Sequence, residues 1–136
     1  MPPDRITWFV DENSLLLARR LAERQPRILY PGHPQLPQVP SRSPDALWLP
    51  VVGELGLVVI TRDTRIRYRP VERMEWVAAA VRGFVLTAAG NLRIAEQLEL
   101  IESNLVSMEE IVRRHPDGPW MYAITRRGLR QLIPDA

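Results

Sequence analysis

Three aspartates lie at points of the sequence where a predicted strand ends or a predicted helix begins. Asp11 follows the apolar run at residues 6–10, and Asp63 follows residues 57–61, the most continuous β-branched run in the chain. Asp45 falls in the first turn of a predicted helix. Carboxylates that lie close together repel one another unless a cation neutralises them. The pattern therefore predicts that Asp11, Asp45 and Asp63 bind a divalent cation.

The composition limits which cation this can be. The chain has no cysteine, so its available ligands are oxygen atoms and two histidines, His33 and His115. Carboxylate oxygens favour Mg²⁺, with Mn²⁺ as a substitute, over zinc. Such an ion polarises a phosphoryl oxygen, lowers the pKa of a bound water and stabilises charge on a leaving oxygen. Phosphodiester hydrolysis needs all three of these effects.

Each aspartate also has an ordinary structural interpretation. Aspartate is frequent in turns and at helix starts, so any one of the three, taken alone, is more often a turn or cap residue. Glu12 differs because Asn13 and Ser14 are available to cap the next helix. We interpret Glu12 either as an outer acid of the cation site or as a solvated side chain.

The elements around the acids predict how they meet. Residues 6–10 alternate without a charged side, which is typical of a strand covered on both faces. Strands that alternate with helices predict an α/β fold with a central, mainly parallel sheet flanked by helices. If the first and third strands are neighbours, Asp11 and Asp63 project from the same edge, where open α/β sheets bind ligands.

Several element boundaries can also be predicted. Prolines at residues 31–44 indicate an extended loop, and Pro50 predicts that one helical turn from Asp45 is followed by a new helix. Residues 70–82 predict a helix with Met74, Val77, Ala78 and Val81 directed inward. The capping-box pattern at Ser107 predicts that a separate short helix begins there. The remaining predictions are helices at about residues 15–24 and 92–105, and strands at 27–30, 84–87 and 120–125.

Size and charge restrict the class of protein. With 136 residues, 46% of them hydrophobic, residues 1–136 are expected to form one domain with a substantial core. No charged leader or membrane-length apolar run is present, so a cytoplasmic protein without membrane contact is expected. All 18 basic residues are arginine. The missing lysine argues against P-loop and Schiff-base chemistry, and against a phosphotransfer domain with Asp11 as nucleophile.

Three ordered sequence blocks resemble the PIN-like domains, and in particular their VapC-type toxin branch. The blocks are V-D-E-N at residues 10–13, D-x-x-W-L-P at 45–50, and T-R-D at 61–63 after an apolar strand. The likeness covers about the first ninety residues well and extends loosely through residues 83–87 and 90–92. It implies the three-layer PIN-like fold.

The resemblance further implies a metal-dependent endoribonuclease of a type II toxin–antitoxin pair. In that family, a metal-activated water attacks phosphorus and leaves a 5′-phosphate and a 3′-hydroxyl. By position, Asp11, Asp45 and Asp63 are the implied ligands and catalytic residues, with Glu12 a weaker candidate. The implied partners are RNA, a cognate antitoxin and, as is usual in the family, a second copy in a homodimer. No obvious fourth acid occupies the late family position, where Thr87 is the candidate neutral residue.

Two interpretations of the basic residues and of the site stay open. Arg62, Arg65 and Arg67, with Arg69, either flank the acids and bind the RNA backbone or form a solvated surface run. The alternative to a nuclease is a non-catalytic PIN-like module, which binds RNA or a protein and whose acidic site is degenerate.

Overall fold

The computed structural model of the chain describes residues 6–11, 14–66, 68–87 and 92–134. Within these ranges the strands are β1 (Trp8–Val10), β2 (Ile28–Leu29), β3 (Val58–Thr61), β4 (Arg82–Leu86), β5 (Trp120–Thr125) and β6 (Gly128–Ile133). The helices are α1 (Leu15–Ala22), α2 (Asp45–Leu55), α3 (Pro70–Ala78) and α4 (Ile94–Arg114). Glu12, Asn13, Arg67 and Asn91 lie outside the described residues. No helix in the described ranges combines the length and the apolar character needed to cross a membrane.

The six strands form one sheet in the order β2-β1-β3-β4-β5-β6. All neighbouring strands are parallel except β5 and β6. The predicted mainly parallel sheet is confirmed, and so is the expectation that the first and third strands are neighbours. Because Val10 is paired with Ile60, Asp11 and Thr61 come next to each other at the carboxyl edge of the sheet.

Side chains alternate along β1 between two hydrophobic cores. Trp8 and Val10 pack with residues of α1 and α4, whereas Phe9 packs with residues of α2 and α3 on the opposite face. This arrangement places helices on both sides of the sheet and confirms the three-layer α/β architecture. Asp11, which follows β1 directly, is buried where the strand ends.

Helix α2 continues through Pro50, and the predicted break there is wrong. An interior proline removes one backbone hydrogen bond and costs a helix about 3 kcal/mol. Trp48, Leu49 and Val52 are fully buried on this helix, and burying one such side chain gains about 1.5–3 kcal/mol. Tertiary packing therefore outweighs the proline. The helix ends at Gly56, which has the left-handed conformation.

Helix α4 is also continuous, so the predicted new helix at Ser107 is wrong. Met108 and Val112 are buried on the same side as Leu98 and Ile101. The apolar periodicity of the helix continues past Ser107, and burial of this apolar face outweighs the local capping pattern. A strand that the sequence did not predict, β6, follows this helix and β5.

The predicted inward face of α3 is wrong. Trp76 is the buried residue of this helix, and its indole nitrogen donates a hydrogen bond to the carbonyl oxygen of Trp120 at 3.2 Å. Met74 is 69% exposed, and Val77 and Ala78 are exposed as well. A tryptophan buries more area than the other residues of this helix, so its position decides which face packs against the sheet. Val81 is buried, but it lies after the helix.

The proline-rich segment at residues 31–44 is fixed to the core. Leu36 and Val39 are buried between α2 and the sheet, and the backbone nitrogen of Gly32 donates to the carbonyl oxygen of Val39 at 2.8 Å. Near its end, Ser43 Oγ donates to the carbonyl oxygen of Pro40 at 2.6 Å instead of capping α2. The segment therefore carries the chain back to the carboxyl edge of the sheet, where α2 begins.

Candidate functional site

A pocket of ≈ 370 Å³ lies at the carboxyl edge of β1 and β3. The three predicted aspartates, Asp11, Asp45 and Asp63, all line it, although they come from three separate parts of the chain. The edge is a topological switch point, because the chain leaves β1 toward β2 on one side while β3 lies on the other. The other lining residues are Arg42, Ser43, Pro44, Trp48 and Arg69.

Asp11 is the most deeply buried of the three acids, with 2% of its surface exposed. Its Oδ2 accepts a hydrogen bond from Thr61 Oγ1 at 2.9 Å, whereas its Oδ1 has no hydrogen-bond partner among the described residues. Burial raises the pKa of Asp11 to about 7, against the lowering effect of Thr61 and Ser14. The negative charges of Asp45 and Asp63 raise the pKa further. The folded chain thus holds a carboxylate whose charge is poorly stabilised.

Thr61 links two of the acids. The same hydroxyl that donates to Asp11 accepts a hydrogen bond from the backbone nitrogen of Asp63 at 3.0 Å. Thr61 is fully buried as the last residue of β3. The sequence alone predicted no role for Thr61, although its place in the T-R-D block, close to a strand-end acid, was an available signal.

Asp45 is the first residue of α2. Its Oδ1 accepts a hydrogen bond from Trp48 Nε1 at 3.0 Å, and the Trp48 ring packs on Phe9 with centroids 5.0 Å apart. Burial raises the pKa of Asp45, and the charge of Asp63 adds to this effect. Trp48 is therefore a core residue, and its indole nitrogen also orients Asp45.

Asp63 is both a turn residue and a residue that lines the pocket. Its Oδ1 accepts a hydrogen bond from the backbone nitrogen of Arg65 at 3.1 Å, which is a turn contact typical of aspartate. Its Oδ2 lies 3.5 Å from an amino nitrogen of the Arg69 guanidinium. A turn residue can thus line the pocket while its charge is partly balanced by an arginine.

The predicted arginines occupy different environments. Arg65 is exposed, with its Nε 3.8 Å from Asp63 Oδ1, and Arg62 is half-buried with no hydrogen-bond partner for its Nε in the part of the chain that the structure describes. Neither of them lines the acidic pocket, whereas Arg69 does. Arg67 is outside the described residues. Arg42 also lines the pocket, and its backbone has a positive φ of 66°. Nothing in the sequence distinguished Arg42 from the other residues of the proline-rich segment.

Thr87, the candidate neutral residue of the late position, follows β4 at the same edge of the sheet. Its hydroxyl donates to the carbonyl oxygen of Ile124 at 3.5 Å. It lines a neighbouring pocket rather than the acidic one.

The acids that line the pocket supply carboxylate oxygens, the donor type that Mg²⁺ and Mn²⁺ prefer, although their spacing does not form a closed site. Asp11 Oδ1 is buried without a hydrogen-bond partner among the described residues, and two further carboxylates line the same space. In the described parts of the chain, no three or more aspartate, glutamate or histidine side chains are grouped closely enough to hold a metal ion. Asp45 directs one oxygen to Trp48, and Asp63 directs one oxygen to the turn that contains Arg65.

Comparison with known proteins identifies one family. A family model described as a PIN like domain matches residues 7–88, more than half of the chain. The matched range includes all three pocket aspartates. Searches of the curated proteins and of the solved structures find no match.

Proposed function

The chain belongs to the PIN-like domain family, which is generally a nuclease fold, and on that premise we propose that it is an Mg²⁺-dependent endoribonuclease. The observation that carries this proposal is the convergence of Asp11, Asp45 and Asp63 on one pocket at a switch point of the sheet. Three acids from distant parts of the chain are costly to bring together, and a bound cation offsets that cost.

The three carboxylates are the residues that would hold the metal, with Mn²⁺ as a substitute for Mg²⁺. Burial and the neighbouring charges raise the pKa of Asp11 to about 7, and the charge of a bound cation would favour its ionised form. When bound, the ion supplies a water of lowered pKa and stabilises charge on the phosphate. The resemblance implied Glu12 as a weaker catalytic candidate. Glu12 lies outside the described residues, and we keep it in the proposal.

The protein's own side chains position the substrate. Thr61 fixes Asp11 Oδ2, so that Oδ1 is the oxygen available to a ligand. Arg42 and Arg69 line the same pocket and can bind the non-bridging oxygens of a phosphodiester. The exposed Arg65 beside them extends the positive charge toward the flanking RNA backbone. We include Arg62 and Arg67 in this proposed substrate-binding set.

We further propose that the nuclease is the VapC-type toxin of a toxin–antitoxin pair that acts in the cytoplasm, with a homodimer as its assembly. The resemblance of the D-E-N, D-x-x-W-L-P and T-R-D blocks supports this step. A cognate antitoxin would cover the acidic edge and place an arginine where the cation binds. Co-expression with the product of the adjacent open reading frame tests it, because a stable complex that suppresses cleavage is expected. The toxin–antitoxin proposal would be contradicted if the two proteins purify separately and the neighbouring gene product does not inhibit RNA cleavage.

A second function is favoured by one observation. The Arg69 guanidinium lies 3.5 Å from Asp63 Oδ2 and 3.9 Å from Glu72 Oε1, so part of the pocket's charge is balanced without a metal. A non-catalytic PIN-like module that binds RNA or a protein fits this arrangement. It predicts salt-sensitive RNA binding that persists when the acids are removed, and no cleavage under any metal condition.

An RNA cleavage assay separates the two functions. Labelled RNA is incubated with Mg²⁺, Mn²⁺ or EDTA, and products are resolved by gel electrophoresis for the wild type, Asp11→Asn and Asp63→Asn. The exposed Glu23 on the surface after α1 provides a matched control as Glu23→Gln. The nuclease proposal expects metal-dependent cleavage in the wild type and the control only. Cleavage by both aspartate variants at the wild-type rate would overturn the nuclease proposal.

A further inference from the structure

A second pocket, of ≈ 760 Å³, opens at the carboxyl edge of β4 and β5. Its lining includes Thr87, Thr125, Leu129 and three arginines, Arg126, Arg127 and Arg130. These arginines lie after residue 88 and so outside the range that the PIN-like family model matches. The acidic site described above does not use them.

The turn between β5 and β6 holds two of these arginines in a defined backbone conformation. Thr125 Oγ1 donates to the carbonyl oxygen of Gly128 at 2.7 Å and accepts from the backbone nitrogen of Arg127 at 3.1 Å. Gly128 closes the turn with φ +115°, a conformation that residues with a side chain rarely adopt. Arg126 and Arg127 are therefore the two loop residues of a tight hairpin with exposed side chains.

The arginines of this pocket carry positive charge that no salt bridge with a described residue neutralises. Among the described residues, no carboxylate forms a salt bridge with Arg126, Arg127 or Arg130. The backbone nitrogen and the guanidinium of Arg93 bind the nearby Glu96 and lower its pKa, and the charge of Arg126 adds a smaller lowering effect. Guanidinium groups that are not held in salt bridges around an open pocket favour an anionic ligand, and their planar donors match the geometry of phosphate oxygens.

The position of this pocket connects it to the acidic one. Because β3, β4 and β5 are successive parallel strands, Asp63, which follows β3, and Thr125, the last residue of β5, lie at the same edge of the sheet. Two strand spacings separate these ends, a distance of about 10 Å. One extended strand of nucleic acid can reach both pockets.

We propose that Arg126, Arg127 and Arg130 bind the phosphodiester backbone of single-stranded RNA, a few nucleotides from the bond that is cleaved. The proposal takes its substrate from the proposed nuclease function and adds a second contact surface for it. Leu129, part of the pocket lining, gives an unpaired base an apolar surface beside the phosphate contacts. Binding at these arginines needs no metal, so it can be measured separately from cleavage.

The test measures the binding of a fluorescein-labelled single-stranded RNA by fluorescence anisotropy in EDTA. The variant Arg126→Gln/Arg127→Gln/Arg130→Gln is compared with Arg19→Gln/Arg20→Gln/Arg113→Gln, which removes the same charge from exposed helix positions. We expect the first variant to bind about tenfold more weakly than the control variant. We also expect its slope of log Kd against log salt concentration to fall by about 2, because each single-strand phosphate contact contributes about 0.7.

A DNA strand of the same sequence should show the same loss, because the contacts proposed are to phosphate. RNA binding by the two triple variants that is equal in affinity and salt slope would overturn the proposal and would leave the pocket to an acidic protein segment. If the first variant loses its thermal unfolding transition, the double variant Arg126→Gln/Arg130→Gln takes its place with the same expected direction. Failure of the nuclease function appears instead as absent cleavage by the wild type in Mg²⁺ and Mn²⁺, whatever the anisotropy result.

Discussion

Thr61 Oγ1 donates a hydrogen bond to Asp11 Oδ2 at 2.9 Å across the β1–β3 pair, inside the hydrophobic sheet. This bond stabilises the charged form of a carboxylate whose pKa burial has raised to about 7. Hydrogen bonds to charged groups contribute about 1.5–3 kcal/mol. The contact therefore helps to set the pH at which Asp11 becomes available to a cation.

The first prediction concerns Thr61. Thr61→Val keeps the shape and removes the donor, so the pKa of Asp11 should rise further and the pH profile of cleavage should shift upward by about one unit. Thr61→Ser, which keeps the hydroxyl, should restore the wild-type profile. The measurement is the rate of RNA cleavage between pH 6 and pH 9. Identical profiles for the valine and serine variants would show that the hydroxyl does not act on Asp11.

The second prediction concerns stability and pH in EDTA. The folded state binds a proton at Asp11 more tightly than the unfolded state, because the pKa of Asp11 is raised from 3.8 to about 7. Relative to Asp11→Asn, the wild type should therefore lose stability as pH rises from about 4 to about 7, and the difference should stay constant above that. The shift corresponds to about 4 kcal/mol at 1.36 kcal/mol per unit. Urea unfolding at pH 4, 6 and 8 measures the difference in free energy of unfolding between the two proteins. A difference that does not change with pH would contradict a buried Asp11 with a raised pKa.

The third prediction concerns Arg69, whose guanidinium competes with a cation for Asp63. Arg69→Gln removes a positive charge 3.5 Å from Asp63 Oδ2, so Mn²⁺ should bind about fivefold more tightly, a gain of about 1 kcal/mol for a partly exposed pair. RNA binding should weaken in the same variant, because a phosphate contact is lost. Calorimetry with Mn²⁺ and anisotropy with RNA in EDTA measure the two effects. Weaker Mn²⁺ binding by the variant would show that Arg69 supports the metal site.

The fourth prediction concerns Arg42, which has a positive φ of 66° at the rim of the acidic pocket. The left-handed conformation costs a residue with a Cβ roughly 1–2 kcal/mol, and Arg42→Gly removes this cost from the folded state. The greater conformational freedom of glycine in the unfolded chain cancels part of that gain. Stability should therefore stay equal or increase, while RNA cleavage falls by about tenfold or more because a phosphate contact is lost.

Arg42→Asn serves as the control, since asparagine tolerates this conformation without the charge. It should lose activity to the same extent as the glycine variant. Thermal unfolding and cleavage rates measured on one preparation separate the effects. Full activity in both variants would remove Arg42 from the substrate-binding set.

The features that could be predicted from the sequence are those that depend on regular burial. β1 and β3 are short apolar runs covered on both faces, and their ends place Asp11 and Asp63 at one edge. The place of Asp45 also followed from local chemistry, because an acid after a proline suits the start of a helix. Both kinds of pattern act within a few residues, so the three pocket acids could be named before the fold was known.

The features that could not be predicted depend on competition between distant parts of the chain. Pro50 and Ser107 carry local signals for helix ends, yet buried residues such as Val52 and Met108 keep both helices continuous. Arg42 reaches the acidic pocket only because the proline-rich segment folds back onto the core, and no local pattern reports that path.

The central claim is that Asp11, Asp45 and Asp63 together bind a divalent cation, Mg²⁺ or its substitute Mn²⁺. Measurement of Mn²⁺ binding tests this claim most directly. Electron paramagnetic resonance of free Mn²⁺ at pH 8 gives the bound fraction for the wild type, for each Asp→Asn variant and for the Glu23→Gln control. We predict saturable binding by the wild type and the control, and a loss of at least tenfold in affinity for each aspartate variant. Unchanged Mn²⁺ affinity in all three aspartate variants, or no binding by the wild type, would contradict the account.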